Sequence, residues 1–464
     1  MFKSLGRYAS RLMRLVRSRF EYFSVVIMRG LSIPLRYAIN VVSARIFGPA
    51  VVGYFAVTRS FLDFLLPFAG LGGDKTILRL LAPAKAEKDE RKLRIYYSFL
   101  FWMFLFLGFV FGAALYLFSG PVAQLYGNLQ YKTYFQLTAF VFPILLFLIL
   151  QHQTFRATGR SFLATLFETT LYNAITLLAI VVVSFLALRY IWLKQLGLHV
   201  AFLIGTAVAA LLAFVLQIRL NKIVPLLNVV ETIRSFFRYT PLKQFVHLVV
   251  SLSVINILVM FNAKYDKFLL PAYATPQQIG IYDMAGKLAL LLVVPLMAVL
   301  TVTPKYVAQY FQEKKYEKLK NYLKKVSVFI LALDFPLYVL ILVLSKWLLS
   351  MFGPEFVSGY KLLWILATAE YINASTGPVG QALILVKNER AYIKNIIIGT
   401  LLSLTLTTFL IVKYGVIGAA IGYGINVIFM NLANYFSIFK YLNGLNRPGQ
   451  PSKPKMREHS GNSR

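Results

Sequence analysis

Apolar stretches of about 20 residues, each long enough to cross a bilayer core, recur from one end of this 464-residue chain to the other. That repetition fixes the fold class. Inside hydrocarbon every backbone N–H and C=O must find a partner within the protein, so a spanning chain is either helical or a closed barrel. Barrel strands alternate apolar and polar positions, whereas FLFWMFLFLGFVFGAALYLF at 99–118 is apolar on every side. The sequence therefore predicts an all-α polytopic membrane protein. Its twelve expected spans are 23–45, 50–73, 96–118, 134–152, 163–187, 197–217, 244–263, 278–303, 327–350, 361–385, 395–413 and 416–439.

The formal net charge of +32 raises the question of a nucleic-acid partner, which the placement of the 49 basic residues answers. Counted over alternate sides of the expected spans, 36 Lys and Arg fall with the N-terminus, the loops after even-numbered spans and the C-terminus, against 9 in the loops after odd-numbered spans. Such a split orients a membrane protein with its basic side inward. It predicts an inner-membrane protein with both termini cytoplasmic and membrane lipids as its partners, and nucleic acid is not expected. The chain has no cysteine, and His152, His199, His247 and His459 are too scattered to share a local metal motif. No cofactor or metal is expected. The stretch GLGGDKT at 70–76 resembles a phosphate loop, but Asp74 stands where that motif needs glycine, and the segment leaves a membrane span rather than a strand.

Sliding the chain against itself by 228 positions lays Tyr54 on Tyr282, Arg59 on Lys287 and Pro67 on Pro295. A shift of six spans preserves orientation, so the sequence predicts two parallel six-helix lobes around a central cavity. The expected division is a basic N-terminus at 1–22, a first lobe at 23–217, a cytoplasmic linker at 218–243, a second lobe at 244–442 and a polar basic tail at 443–464. Within the linker Ile223, Leu226, Leu227, Val230 and Ile233 recur at helical spacing, which fits a helix along the inner membrane surface or an ordinary amphipathic connector.

A charge at the bilayer centre costs about 2.5–3.5 kcal/mol on insertion scales, so it ordinarily faces a cavity or a partner. Arg29, Arg36, Arg59 and Lys287 are the basic residues inside expected spans once those at the span borders are counted with the loops, and Arg36, Arg59 and Lys287 sit at similar depth. They are candidates for a cationic belt. The rival reading is internal neutralisation, since Arg59 and Asp63, and equally Asp283 and Lys287, are spaced i, i+4. Asp63, Asp283, Asp334 and Glu370 are candidates for binding a coupling H⁺ or Na⁺. Glu168 is expected to snorkel, Asn256 and Asn262 to hydrogen-bond between helices, and Lys264 and Asp266 to be solvated near the outer mouth.

Several segments in order, FGPAVVGYFAV at 47–57, FAGLGGDKTILRLLA at 68–82, FRATGR at 155–160, IGIYDMAGKLALL at 279–291, FGPEFVSGYKLLWILA at 352–367 and YGVIGAAIGYGI at 414–425, carry a resemblance. Together they resemble the polysaccharide flippases of the multidrug/oligosaccharidyl-lipid/polysaccharide (MOP) exporter superfamily. The resemblance implies alternating access that moves a polyprenyl-pyrophosphate-linked oligosaccharide between leaflets, with Arg29, Arg36, Arg59 and Lys287 meeting its anionic headgroup. It also implies a non-enzymatic protein working beside glycan polymerases. Cation-coupled drug exporters of the same superfamily are the alternative. Those resemble one another in carrying carboxylates where this first span has arginines. A membrane glycosyltransferase or glycan polymerase is the alternative from another class, and the short outer loops speak against it.

Overall fold

In the computed structural model each of the twelve apolar stretches is helical over most of its length, and the described residues form no strand. The structure describes residues 2–445 apart from 71 and 73, with side chains from residue 24 onward apart from 74, 251, 252 and 255. The expected basic tail from 446, and the side chains of the basic N-terminus, lie outside that description.

The first half of the chain forms α1 (Phe2–Ala69), α2 (Asp74–Ala86), α3 (Glu90–Leu117), α4 (Ser119–Leu125), α5 (Gln130–Ala157), α6 (Ser161–Thr165), α7 (Leu171–Arg189) and α8 (Trp192–Asn221). A short connecting helix, α9 (Val229–Tyr239), leads into α10 (Leu242–Leu269). There follow α11 (Pro276–Ala289), α12 (Val294–Gln312), α13 (Tyr316–Val343), α14 (Ser345–Ser350), α15 (Tyr360–Ser375), α16 (Val379–Leu385), α17 (Glu389–Leu402) and α18 (Thr408–Leu445). Short π-helical turns at Leu166–Thr170 and Ser403–Thr407 join α6 to α7 and α17 to α18.

Eight helical stretches among the described residues are long and apolar enough to cross a membrane, and three of them are unusually long: Ser24–Ala69, Pro276–Gln312 and Glu389–Leu445, of 46, 37 and 57 residues. A straight helix of the last length would measure about 85 Å, far beyond a hydrocarbon core of about 30 Å. It is not straight. Gly415, at φ 56° and ψ −129°, breaks α18, and the chain doubles back so closely that a Cβ on Gly418 would stand 1.8 Å from the Leu410 carbonyl oxygen. Gly48, at φ 76° with Pro49 behind it, divides α1 into two arms in the same way. Both conformations are left-handed regions that suit glycine. Two of the four spans by which eight long helices fall short of twelve are accounted for by these tight turns, which join the first span to the second and the eleventh to the twelfth; the spans expected at 244–263 and 361–385 are not among the eight.

The packing locates the region of interest. One buried core runs continuously through both halves of the chain, joining Val52, Tyr54 and Val57 of α1 to Leu270, Ile279, Met284 and Leu288 around α11, and to Phe352 and Leu363. Away from that end the core divides. One cluster holds Leu62, Leu100, Phe142 and Phe236, and a separate one holds Val307, Leu323, Leu383 and Ile438. The halves therefore share a core at the end marked by Gly48 and Leu270 and keep separate cores at the other.

Two helices tie this arrangement together. Near its start α10 packs Phe245 against Phe99 and Phe236 of the first half. Further along, Asn262 donates to Thr400 Oγ1 at 2.7 Å and Asn426 donates to Asn262 Oδ1 at 3.2 Å in the second half. Asn262 thus bridges helices as expected, whereas Asn256 donates to the Gly72 carbonyl in the turn between α1 and α2. The linker helix α9, capped by Asn228 on the Glu231 N–H, stacks Phe236 on Phe99 with ring centroids 3.7 Å apart. Of the linker's apolar series Ile223 is buried, while Leu227, Val230 and Ile233 are exposed. The helix is docked on α3 through one face and leaves an apolar strip uncovered.

Candidate functional site

The site is built where the backbones of α1 and α11 touch. A Cβ added to Gly53 would lie 1.8 Å from the Pro276 carbonyl oxygen, and one added to Gly280 would lie 1.9 Å from the Pro49 carbonyl oxygen. The contact is reciprocal, as a two-fold relation between the arms requires, and small residues are what permit such an approach between membrane helices. Thr275 and Gln278 close a capping box over the start of α11, with Pro276 in its first turn, which fixes where that helix begins. From the crossing, Arg59 stands six residues along α1 and Lys287 seven along α11, hence at about 9 and 10 Å by helical rise. Phe61 and Phe64 pack against Phe268, and Phe64 against Phe261, bringing α10 alongside.

Seven charged side chains then meet. Arg59 Nε donates to Asp63 Oδ1 at 2.8 Å, and its guanidinium lies 4.8 Å from the centre of the Phe202 ring. The other oxygen of Asp63 faces Lys264 Nζ at 3.2 Å. Asp283 accepts from Lys267 through one oxygen and pairs with Lys287 Nζ at 2.9 Å through the other. Tyr282 Oη donates to Asp266 Oδ2 at 2.6 Å. Four cations face three carboxylates. Both i, i+4 pairs form, yet the cations stay reachable: the side chains of Arg59 and Lys287 are 30% and 33% exposed, whereas Asp283 is 3% exposed.

Lys264 and Asp266 correct the sequence reading. Expected as solvated residues near an outer mouth, they belong to this cluster together with Lys267, which the sequence reading did not single out, and Asp266 is 5% exposed. The expected span stopped at 263 because an apolar run ends at its first charge, but α10 continues to Leu269, and the charges it carries there are matched on α1 and α11. Glu168 is also more than a snorkelling residue, since it accepts from Arg156 Nη2 at 2.5 Å.

The remaining predicted residues lie elsewhere. Arg29 and Arg36 are exposed on the first arm of α1 and make no ion pair with a described residue. Glu370 on α15 is buried and fully engaged, taking the Tyr423 hydroxyl at 2.6 Å on one oxygen and the Asn373 amide at 2.7 Å on the other. Replacing Tyr423 by Phe leaves one oxygen of a buried carboxyl without its donor, which should cost about 1–3 kcal/mol. A fall in the thermal unfolding temperature of the detergent-solubilised protein measures it. Asp334 on α13 is fully buried, and neither of its oxygens has a hydrogen-bond donor. Among the described residues no three His, Asp or Glu side chains gather closely enough to hold a metal ion.

A family model described as "Polysaccharide biosynthesis protein" matches residues 42–357. The chain belongs to that family. Among solved structures, it is similar to an inward-facing multidrug-resistance MATE family transporter of the MOP superfamily, at 13% identity and a TM-score of 0.69 over 91% of this chain and 98% of that one. It is similar to the lipid II flippase MurJ in an inward closed conformation, at 16% identity and a TM-score of 0.66 over 92% and 89%. A third likeness is to a MOP superfamily transporter from Pyrococcus furiosus, described as having a binding pocket of reverse polarity, at 16% identity and a TM-score of 0.59 over 92% and 95%. No curated protein matches the chain. At these identities the likenesses speak for the fold, and the fold of this family member is that of the MOP superfamily.

Proposed function

We propose that the protein is an alternating-access flippase that carries a polyprenyl-(pyro)phosphate-linked oligosaccharide across the cytoplasmic membrane for cell-surface polysaccharide synthesis. The observation that carries this reading is the sign of the cluster on α1, α10 and α11, where four cations meet three carboxylates inside the apolar part of the chain. A diphosphate is a natural occupant of such a place, because a fixed cation compensates an anion far better in a low dielectric than in water. Family membership and the fold shared with a lipid II flippase point the same way. The reverse-polarity pocket named for the Pyrococcus furiosus transporter, with the different function that its description suggests for it, is in keeping with a pocket of altered charge on this fold.

On this reading the two halves, 23–217 and 244–442, rock about the end where they share a core. The headgroup enters between the separate cores, and the lipid tail stays in the bilayer. Arg29 and Arg36, exposed on the first arm of α1, attract the headgroup toward Arg59 and Lys287. Asp334 is the best of the four carboxyl candidates for a coupling proton, since a buried carboxyl without donors is far cheaper to hold neutral than charged. Asp63 and Asp283 already neutralise lysines, and Glu370 is held by two donors. Glycan polymerases remain the expected partners downstream.

A reconstituted flipping assay tests the reading. Arg59→Ala and Lys287→Ala each remove a charged donor worth about 1.5–3 kcal/mol, so glycan-lipid transport should fall by about tenfold or more with membrane insertion retained. Arg36→Ala should show a smaller loss. Undiminished transport in all three overturns the proposal. Cells expressing the protein should gain no resistance to cationic dyes, the outcome that the drug-exporter alternative requires.

A further inference from the structure

Asp63 occupies a position unlike that of the other carboxylates. It bridges Arg59 on its own helix and Lys264 on α10, and among the described residues its pair with Lys264 is the ion pair that joins residues before 218 to residues after 243. Its side chain is 22% exposed, and those of its two partners are 30% and 24% exposed, so a solute can reach all three. Asp283, by contrast, is almost wholly enclosed between Lys267 and Lys287. The cluster therefore has a buried clamp within one half and an accessible bridge between the halves.

We propose that Lys264 is a further anion-binding residue, and that a diphosphate headgroup binds by displacing the Asp63 carboxylate from Lys264 and Arg59. The inference rests on the reading of the protein as a flippase of diphosphate-linked lipid and adds how cargo and conformation are joined. A lysine ammonium has three donors, and a guanidinium presents a fork matched to phosphate oxygens. A diphosphate can thus take both cations in place of one carboxylate. Once Lys264 turns to the headgroup, the ionic tie between the halves is gone, and what remains between them is uncharged packing, such as the crossing of α1 and α11 and the seating of Phe261 and Phe268 against Phe64. Binding the cargo and releasing the closed end become one event, with the differential contacts that a ligand-driven change of state demands. Asp63 competes with the cargo. It offsets part of the site's positive charge and keeps the halves tied when the site is empty.

This gives Asp63 and Lys264 opposite effects on affinity, which a purely structural ion pair would not. The chain has no cysteine, so Leu125→Cys and Tyr273→Cys, at two exposed positions near the shared end, take a pair of spin labels on a clean background. Farnesyl diphosphate is the probe and farnesol the uncharged control, with binding and label separation measured in the same nanodisc sample. Farnesyl diphosphate should lengthen the distance in the otherwise unaltered chain, and farnesol should not. Asp63→Asn should bind the diphosphate about tenfold more tightly, because the competitor has lost its charge. Lys264→Gln should bind about tenfold more weakly, a charged donor having gone. Both should lengthen the distance without ligand, and Lys264→Arg should restore the closed distance and the affinity. If the unaltered chain binds the diphosphate while the two variants weaken binding alike, or leave the distance unchanged, the displacement is wrong and the flippase reading stands. If the unaltered chain does not bind the diphosphate, both fail.

Discussion

Gly280→Ala is expected to prevent the two halves from closing and to abolish transport. The added methyl would lie 1.9 Å from the Pro49 carbonyl oxygen and 3.0 Å from the Gly53 nitrogen, both backbone atoms with no side-chain freedom to yield. A normal carbon–oxygen contact is about 3.3 Å or more, so the arms must part by over about 1 Å. Overpacking a well-fitted interior costs about 1–3 kcal/mol, and occasionally more; a clash between two backbones belongs at the upper end. The same separation would pull Val52 and Tyr54 away from Ile279 and Met284 in the core that the halves share. Gly53→Ala should behave alike, since its methyl would meet the Pro276 carbonyl oxygen at 1.8 Å. Because either methyl forces the same displacement, the double variant should cost clearly less than the two single losses together. Unfolding temperatures of the three variants and the label separation at the shared end measure this. Additive losses would mean that the two glycines act independently and that the crossing is not a single pivot.

The sequence made the class of the protein plain through its apolar runs, because only a helix hides its backbone from lipid. What it could not register was the tightness of two of the turns. A turn made by Gly48–Pro49 or by Gly415 costs so few residues that two expected spans become a single bent element. The register expected for an internal repeat differs by one from the relation between the two arms at their crossing. Matching Tyr54 to Tyr282 uses a shift of 228, whereas the reciprocal contacts of Gly53 with Pro276 and of Gly280 with Pro49 make Gly53 the counterpart of Gly280 and Pro49 that of Pro276, a shift of 227. One residue turns a helix by about 100°, so Arg59 and Lys287 do not occupy equivalent faces, although their depths agree.

The site was half legible for a related reason. Arg59, Asp63, Asp283 and Lys287 announce themselves as charges within apolar sequence. Lys264, Asp266 and Lys267 follow an apolar run and read as its end. Their membership in the cluster depends on Phe261 and Phe268 seating α10 against Phe64, a long-range contact that no local pattern encodes. Burial of Asp334 without a donor is likewise invisible in one dimension.

Asp283→Asn is expected to be the most destabilising single change in the charge cluster. Its carboxylate is enclosed and pairs with both Lys267 and Lys287. An amide keeps the shape but not the charge, and the cluster then holds four cations against two carboxylates. Removing one partner from a buried ion pair costs about 3–5 kcal/mol, because the remaining charge stays desolvated without compensation. Asp63→Asn makes the contrast. Its pairs are 22–30% exposed on the side chains concerned, so water screens what is lost and the change should stay within about 1 kcal/mol. The penalty at Asp283 comes from the stranded lysines, so removing the more enclosed of them should relieve it. Lys267→Met added to Asp283→Asn should recover more than half of the loss, with Lys287, 33% exposed, still able to reach water. Denaturant unfolding of the reconstituted single and double variants distinguishes the cases. If Lys267→Met deepened the loss instead, the two residues would be contributing independently, and the enclosed pair would owe its stability to packing rather than to compensation of charge.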